Sequence, residues 1–474
     1  MVAIIDESVR PVTRLDALVA VERECAAIQQ LLQQVRQRLD DGEDVGFRAM
    51  EVAVGERAAA IERAAVAALL TSYDIDRDVV EVGGRQYKRL AEPGTGRYFT
   101  LRGEVPVNRH LFREVGVHNG PTIVPLELRA GIAHGRWTPE AFQAVGHLHQ
   151  ALPSRELKDT ADRLHVLPYS RATLARAGEQ VGRDWEDIRV EAEDTLITEM
   201  ELPEEAVALS VSVDRVTVPM EEAITPPPKD PKAPKIEVAF RQAYCACVTL
   251  HDEEGEALAS IRYGRMPADG HGPIEDALAG DVATLVSRRP DLRLVGLADG
   301  SPEMQSILDR ALKDQSPEAI SLDIWHVLEK LGDAVKSTGR DAGDYVPKWK
   351  AQLKRDDAAI DQIDAQIRDW LDETHEEDVP DALYDAFTYL DNNKDRMRYA
   401  TLVAANLPIG SGGVEATCKT LASVRMKRSG SRWKTDGGQS CLNLRALSMS
   451  SRWEPAMEIL TNSHVRHVAW AQAA

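Results

Sequence analysis

The sequence predicts an α/β core, a mixed sheet with flanking helices, and three observations predict it. First, residues 207–213 alternate apolar and small polar side chains, so Val and Leu line one face of a strand and Asp214 lies on the other. Second, strands at 244–250 and 258–263 flank the turn Asp252–Gly255. Third, helices then alternate with short strands at 292–298 and 320–325. Antiparallel strands followed by helix–strand units predict a mixed sheet.

Three segments precede this core. Residues 1–72 are rich in Ala and Leu with few turn residues, which predicts a helical arm suited to oligomerisation. Residues 73–130 combine glycines with short apolar runs and predict a small β module. Residues 131–200 predict a helix-turn-helix DNA-binding domain whose third helix ends at Gly182. A plain three-helix packing unit has the same pattern. If the third helix enters a DNA groove, its phosphate-contacting residues are Arg171, Arg176 and Arg183.

The core itself is divided by an insertion. Residues 205–330 form its first part, 331–400 a helical insertion, 401–455 its second part and 456–474 a C-terminal tail. Three antiparallel strands followed by alternating helices and strands are typical of an RNase H-like fold. The acidic insertion either shields a site, contacts a partner or is simply a solvated face. The Pro- and Lys-rich loop 225–235 is either a linker or a DNA contact.

Charge and cysteine content narrow the class of protein. The net charge of −20 opposes DNA binding on average, but the charge is unevenly spread. Residues 356–378 hold ten acids and one base, whereas 406–434 hold six bases and one acid. Five cysteines without a C-x-x-C pair argue against a zinc ribbon or a disulfide framework. Without a signal peptide or an apolar run of membrane length, we expect a soluble cytoplasmic protein without a membrane partner.

Three acids are candidates for metal-dependent chemistry. Two-metal phosphoryl transfer needs carboxylates that converge from separate elements. Asp214 is placed mid-strand, and Asp299 follows a fully apolar strand. Glu415 lies in the first turn of a helix after a glycine-rich entry. Simpler interpretations stay open, because Asp-Gly often makes a turn and a Glu at a helix start complements the helix dipole.

These residues lie in motifs that resemble a known family. Gly410-Ser-Gly-Gly-Val-Glu415, followed by Arg425-Met-Lys-Arg-Ser-Gly-Ser-Arg-Trp433, resembles the C-terminal signature of bacterial insertion-sequence DDE transposases of the Kra type. That family is related in layout to Mutator-like transposases. Val211-Ser-Val-Asp214 and Leu297-Ala-Asp-Gly300 resemble its other two acid motifs, although Arg215 stands where such proteins often have Gly. The resemblance covers roughly residues 207–453.

The resemblance implies a function and a cofactor. It implies that Asp214, Asp299 and Glu415 are catalytic and bind Mg²⁺, with Mn²⁺ as the alternative. It implies metal-dependent cleavage at transposon ends and strand transfer into target DNA. Asp323-Ile-Trp-His326 is similar to an Asp-x-x-His element that the family carries after its second acid, so Asp323 and His326 are implied to support the site.

The expected partner is double-stranded DNA, both transposon terminal inverted repeats and target. We expect the basic residues of the stretch 406–434, here called the basic run, to bind the DNA backbone. The basic run consists of Lys419, Arg425, Lys427, Arg428, Arg432 and Lys434. Trp433 either stacks on an unpaired base or packs in the core. We also expect the protein to form a homo-oligomer on DNA and to be associated with the nucleoid. The alternatives are a catalytically silent, transposase-derived DNA-binding protein and another RNase H-fold nuclease such as a junction resolvase.

Overall fold

The computed structural model describes residues 17–225, 234–267, 272–375, 378–410 and 412–470. The predicted start of the arm, most of the Pro- and Lys-rich loop and Ser411 of the glycine-rich entry lie outside these residues. The chain divides into two compact units: a first unit up to Asp184 together with Met457 onward, and a second unit over Trp185–Ala456. None of the helices among the described residues combines the length and the apolar character that a membrane crossing needs.

The first unit contains a helical hairpin, two small sheets and a group of helices. Its helices are α1 (Ala17–Asp40), α2 (Phe47–Tyr73), α3 (Pro125–Ala130), α4 (Pro139–Ala151), α5 (Ser154–Arg163), the first half of α6 (Arg171–Glu199) and most of α17 (Trp453–His464). Its strands are β1 (Val79–Val82), β2 (Arg85–Arg89), β3 (Gly94–Thr100), β4 (Gly103–Arg109), β5 (Phe112–Glu114), β6 (Thr122–Ile123) and β12 (Val468–Ala469).

Two features of the first unit differ from what the sequence predicted. The residues predicted as a C-terminal tail include α17 and β12, and β12 completes a sheet by pairing antiparallel to β1. Helix α6 does not end at Gly182 but continues to Glu199. A glycine inside a helix costs only about 1 kcal/mol, and the buried apolar residues Val181 and Trp185 on either side of Gly182 outweigh that cost.

The second unit is built on one mixed five-stranded sheet. Its strands are β7 (Ala208–Ala223), β8 (Ile236–His251), β9 (Ala257–Arg265), β10 (Arg293–Ala298) and β11 (Ala319–Leu322). Their order across the sheet is β11-β10-β7-β8-β9. β7, β8 and β9 pair antiparallel, whereas β10 pairs parallel to β7 and β11 parallel to β10. The predicted mixed sheet with flanking helices is therefore present.

Helices flank this sheet and form an additional group. They are α7 (Gly272–Arg288), α8 (Pro302–Leu312), α9 (Ile324–Ser337), α10 (Ala342–Leu353), α11 (Ala359–Asp372), α12 (Asp381–Asn393), α13 (Tyr399–Ala404), α14 (Gly412–Thr417), α15 (Val424–Met426) and α16 (Thr435–Met449). Helices α9–α12 share a core that includes Trp349, Ile363 and Trp370. This core occupies the region where the helical insertion was predicted.

The hairpin of β7 and β8 is much longer than the sequence predicted. The two strands stay paired from Ala208 opposite His251 to Ala223 opposite Ile236. Pro219 counts against a strand because it has no N–H to donate. At that point, however, the neighbour of β7 is Trp433, whose backbone N–H donates to the Pro219 carbonyl at 3.0 Å. The missing N–H therefore costs no ladder hydrogen bond there.

Candidate active site

The two faces of the central sheet differ in chemistry. Leu209, Val211 and Val213 of β7 lie in the main apolar core with helices α7 and α8. The alternate residues Ser210 and Ser212 lie on the opposite face, where the Ser210 hydroxyl and His251 Nε2 are 2.8 Å apart. Asp214 continues this second row because side chains alternate along a strand. We call this second face the polar face after this row, although apolar clusters that include Val218 of β7 and Leu297 of β10 lie on the same side.

Asp214 and Asp299 are aligned on adjacent strands of the polar face. Leu297 of β10 pairs with Ser212 of β7 in parallel register. Two residues further along each chain stand Asp299 and Asp214. The same register therefore places the two carboxylates side by side at the carboxyl end of β10. The structure thus brings the first two candidate acids together.

Asp323 extends this row to a third strand. Ala298 pairs with Leu322 of β11, so Asp323 follows in line with Asp299. The Asp323 side chain is buried and caps α9 by accepting the backbone N–H of Trp325 at 2.7 Å. His326 lies in the first turn of that helix. The structure thus brings the predicted supporting pair next to the two acids, and Asp323 fixes the start of α9.

Burial and several neighbouring groups shift the pKa of Asp214. Burial is the main cause that raises the pKa of Asp214, and the nearby Asp299 carboxylate raises it further. The Arg215 N–H, the Cys418 thiol and His326 act in the opposite direction. A carboxylate that is partly buried beside another carboxylate is stabilised by a bound cation, so this pair fits Mg²⁺, which takes oxygen ligands.

Glu415 lies on a helix that covers the same polar face. Its neighbour Val414 is buried in a core cluster with Cys245 and Cys247 of β8. One turn later, the Cys418 thiol hydrogen-bonds to Cys245 and Asp214. The Glu415 side chain itself is exposed. Helix α14 thus carries the third acid to the polar face.

The side chains of the three predicted metal ligands are not grouped around one metal position in the described residues. In the part of the chain that the structure describes, no group of three or more His, Cys, Asp or Glu side chains is arranged to hold a metal ion. Asp214 and Asp299 are adjacent, and Glu415 lies on α14 with its side chain exposed. A π-helical segment, Cys418–Ser423, directly follows α14. Single π-helical turns are frequent at functional sites.

Several residues near the site were not predicted from the sequence. The Tyr389 hydroxyl from α12 donates to the Asp299 carbonyl at 3.0 Å. Gly300 has a φ of +84°, and a Cβ there would stand 2.8 Å from the Tyr389 ring. Arg215 pairs with Glu303 at the start of α8. Only Gly300 carried a local signal, because Asp-Gly predicts a turn; the other contacts join distant parts of the chain.

The predicted DNA-contacting run divides into buried and exposed members. Arg425 is buried, and its guanidinium lies 4.8 Å from the centre of the Trp433 ring. The Trp433 indole N–H donates to the Met426 carbonyl at 3.1 Å. Arg425 therefore does not form the surface as predicted, because it packs beneath Trp433. Trp433 has the packing role that the sequence left open beside base stacking.

The other cations of the run are exposed, and they are Lys419, Lys427, Arg428, Arg432 and Lys434. Lys427, Arg428 and Arg432 line a groove of about 610 Å³ beside Val238 and Phe240 of β8. The Phe240 side chain is 67% exposed. Arg432 and Lys434 lie 3.9 and 3.8 Å from Glu221 carboxylate oxygens. The surface therefore combines cations with an exposed aromatic ring.

The first unit contains a second group of cations. Arg171 and Arg176 are exposed on α6. Arg176 and Arg183 line a cavity of about 410 Å³ together with His134 and Arg136. A hydrogen bond to Asp184, with His134 Nε2 2.8 Å from Asp184 Oδ2, is the main cause that raises the pKa of His134. The predicted phosphate-contacting residues are thus on the surface of the third helix.

Comparison with known proteins adds little to this geometry. The sequence matches no known protein family and no curated protein. The structure is similar to a chain of the Drosophila P element transposase strand transfer complex, with 12% sequence identity and a TM-score of 0.25. The similarity covers 70% of this chain and 82% of that chain. A TM-score this low does not establish a common fold.

Proposed function

We propose that this chain is a DNA transposase whose second unit has an RNase H-like fold and whose acids Asp214, Asp299 and Glu415 bind Mg²⁺ or Mn²⁺. The observation that carries the proposal is the alignment of Asp214 and Asp299 on adjacent parallel strands, on the sheet face that α14 covers. The strand order, with three antiparallel strands joined to two parallel ones, supports the fold assignment.

Each residue has a distinct role in this proposal. Asp214 and Asp299 hold the cation from the sheet, and Glu415 completes the site from α14. Asp323 is a positioning residue, because it caps α9 and thereby orients His326. Mg²⁺, when bound, supplies Lewis acidity to the scissile phosphate and to the attacking hydroxyl. Successive hydrolysis at a transposon end and attack by the freed 3′-hydroxyl need no covalent bond between protein and DNA.

Two surfaces would bind the DNA, and a salt titration tests the one in the second unit. Removing one cation that neutralises a DNA phosphate reduces the slope of log affinity against log salt by about 0.9. We therefore expect Lys427→Gln to lower affinity for duplex DNA and to reduce this slope by roughly one. Lys313→Gln changes an exposed lysine outside the run and serves as the control. Equal slopes for the two variants would remove Lys427 from the DNA interface.

The decisive experiment is cleavage of labelled duplexes that carry the DNA flanking the gene. Wild type and Glu415→Gln are compared with Mg²⁺, with Mn²⁺ and with EDTA. We expect metal-dependent nicking at the boundary of a terminal inverted repeat, and loss of nicking in the variant. Asp361→Asn changes an exposed acid of α11 and should cleave like wild type.

The other outcomes identify the alternatives. Specific binding to the repeat without cleavage under any metal condition would indicate a catalytically silent DNA-binding protein. Cleavage of four-way junctions without preference for the repeat would indicate a resolvase. Cleavage that Glu415→Gln retains would remove Glu415 from the catalytic set.

A further inference from the structure

Helix α1 carries a heptad repeat of apolar residues. The first heptad position, here called the outer row, holds Leu18, Cys25, Leu32 and Leu39. The fourth position, the inner row, holds Val21, Ile28 and Val35. Apolar residues at these two positions over three heptads are typical of a helix that packs along another helix.

The two rows have different surroundings. Helix α1 packs along α2, and the inner row is half-buried. In the part of the chain that the structure describes, Leu18, Leu32 and Leu39 of the outer row are 72%, 53% and 54% exposed. One intramolecular helix therefore accounts for the inner row and leaves the three leucines of the outer row facing solvent, with Cys25 half-buried.

Charges beside the outer row indicate what covers it. The fifth heptad position, the charged row, holds Glu22, Gln29 and Arg36, and all three side chains are exposed. Glu22 lies before the centre of the helix and Arg36 lies after it. Antiparallel pairing of two copies places Glu22 beside the partner's Arg36 twice, with Gln29 at the two-fold axis. Parallel pairing places like charge beside like charge, which is unfavourable.

We propose that a second copy of this chain covers the outer row, so that the chain is a two-fold dimer held by antiparallel α1 helices. The interface is isologous, because each copy contributes the same row of leucines and the same pair of charges. The α1 helix of 24 residues is about 36 Å long, which provides a continuous seam. This inference does not rest on the proposed transposase function, since it involves neither DNA nor the acids of the second unit.

Sedimentation equilibrium of the full chain without DNA tests the dimer. We expect wild type to be dimeric at micromolar concentration and Leu32→Glu to raise the dimer Kd by about 100-fold, because a charge would replace a buried leucine. Gln30→Glu is the matched control, since Gln30 is exposed and, two residues from Leu32, lies about 200° around α1 from it. A monomeric wild type, or a Leu32→Glu variant as dimeric as wild type, overturns the proposal. Far-UV circular dichroism checks that each variant is folded.

Charge exchange tests the antiparallel direction. Glu22→Arg and Arg36→Glu singly place like charges together, and each should raise the dimer Kd by about tenfold. The double variant Glu22→Arg with Arg36→Glu restores opposite charges and should regain the wild-type Kd. Additive weakening in the double variant contradicts antiparallel pairing.

Cys25 provides an independent test of direction. The other cysteines, Cys245, Cys247, Cys418 and Cys441, are buried. About a two-fold axis at Gln29, two copies of Cys25 are about 12 Å apart along the helices, which is too far for a disulfide. We therefore expect mild oxidation to leave wild type uncrosslinked and to crosslink Gln29→Cys combined with Cys25→Ser. A disulfide-linked wild-type dimer would indicate parallel helices and overturn the proposal.

Discussion

Each face of the central sheet carries an acid, Asp281 buried and Asp214 partly buried, in opposite surroundings. Asp281 of α7 lies on the apolar side, where the Tyr263 hydroxyl donates to its carboxylate and Arg452 lies 3.8 Å away. Asp214 lies on the polar face, where burial and, as a smaller cause, the neighbouring Asp299 carboxylate raise its pKa. Burial raises the pKa of Asp281, and these two partners lower it only in part. An acid placed beside a second acid is retained at a cost to stability, which is typical of functional sites.

The largest effect should follow from changing the polar face at Asp299. We expect Asp299→Asn to lower single-turnover DNA nicking in Mg²⁺ on the order of 10³-fold, because a group that stabilises transition-state charge is removed. The free energy of unfolding should change little, since Asn can still accept the Ser301 N–H that Asp299 Oδ1 accepts at 2.8 Å. Nicking at the wild-type rate would mean that the aligned acids are not catalytic.

The apolar face should respond in the opposite way. Leu278 of α7 is fully buried in the core beneath β7. Leu278→Ala should lower the free energy of unfolding by about 3–4 kcal/mol through reduced burial and a cavity. Nicking per folded molecule should not change. Leu258→Ala in β9 is the control, because Leu258 is 37% exposed; urea denaturation of both measures the difference. Equal destabilisation by the two variants would contradict a well-packed apolar face.

The sequence predicts the polar face well because its signals are local. Period-two alternation locates Asp214 on the correct side of β7, and the apolar run before Asp299 identifies a buried strand. The glycine-rich entry places Glu415 at a helix start. These features depend on residues within one strand or one turn, so no knowledge of the tertiary contacts is needed.

The features that the sequence does not predict depend on distant contacts. Pro219 argues against the extension of β7, and only the pairing with Trp433 makes it acceptable. Arg425 looks like a surface cation in a basic run, yet it packs against Trp433. Cys418 has no local motif that links it to Asp214. The contacts of Pro219 with Trp433 and of Asp214 with Cys418 join segments far apart in the chain, and the contact of Arg425 with Trp433 depends on how the loop between them folds.

Asp281 offers a pH test of the apolar side. Burial, the main cause, raises the pKa of Asp281 to about 6 from 3.8. The folded state therefore keeps this proton to higher pH than the unfolded state, so the carboxyl reduces stability as pH rises from 4 to 7. Asp281→Asn removes this titration. Relative to wild type, the variant should gain about 2.4 kcal/mol between pH 4 and pH 7.

Urea denaturation of Asp281→Asn and wild type across this pH range measures the gain. Asp309→Asn changes an exposed acid of α8 and should keep a constant difference from wild type. A constant difference for Asp281→Asn as well would mean that the Tyr263 hydroxyl and Arg452 fully offset burial. The two faces would then bury their acids at similar cost.

The smallest effect, and the one that separates the two acids most directly, is the change in stability on replacing Asp214. Its raised pKa means that the charged form penalises the fold above the folded-state pKa, and that this penalty disappears below the unfolded-state pKa. Asp214→Asn should therefore raise the free energy of unfolding at pH 8 by roughly 0.5–2 kcal/mol, as is common when a functional charge is removed.

Addition of Mg²⁺ should make wild type more stable than Asp214→Asn. A cation that binds only the folded state stabilises wild type by mass action, and the variant lacks one of its ligands. Thermal melts of both proteins with EDTA and with increasing Mg²⁺ show whether the melting temperature of wild type rises above that of the variant. If Asp214→Asn is instead less stable than wild type in EDTA, the Asp214 carboxylate stabilises the fold by itself, and a cost to stability is then no argument that it is retained for a cation.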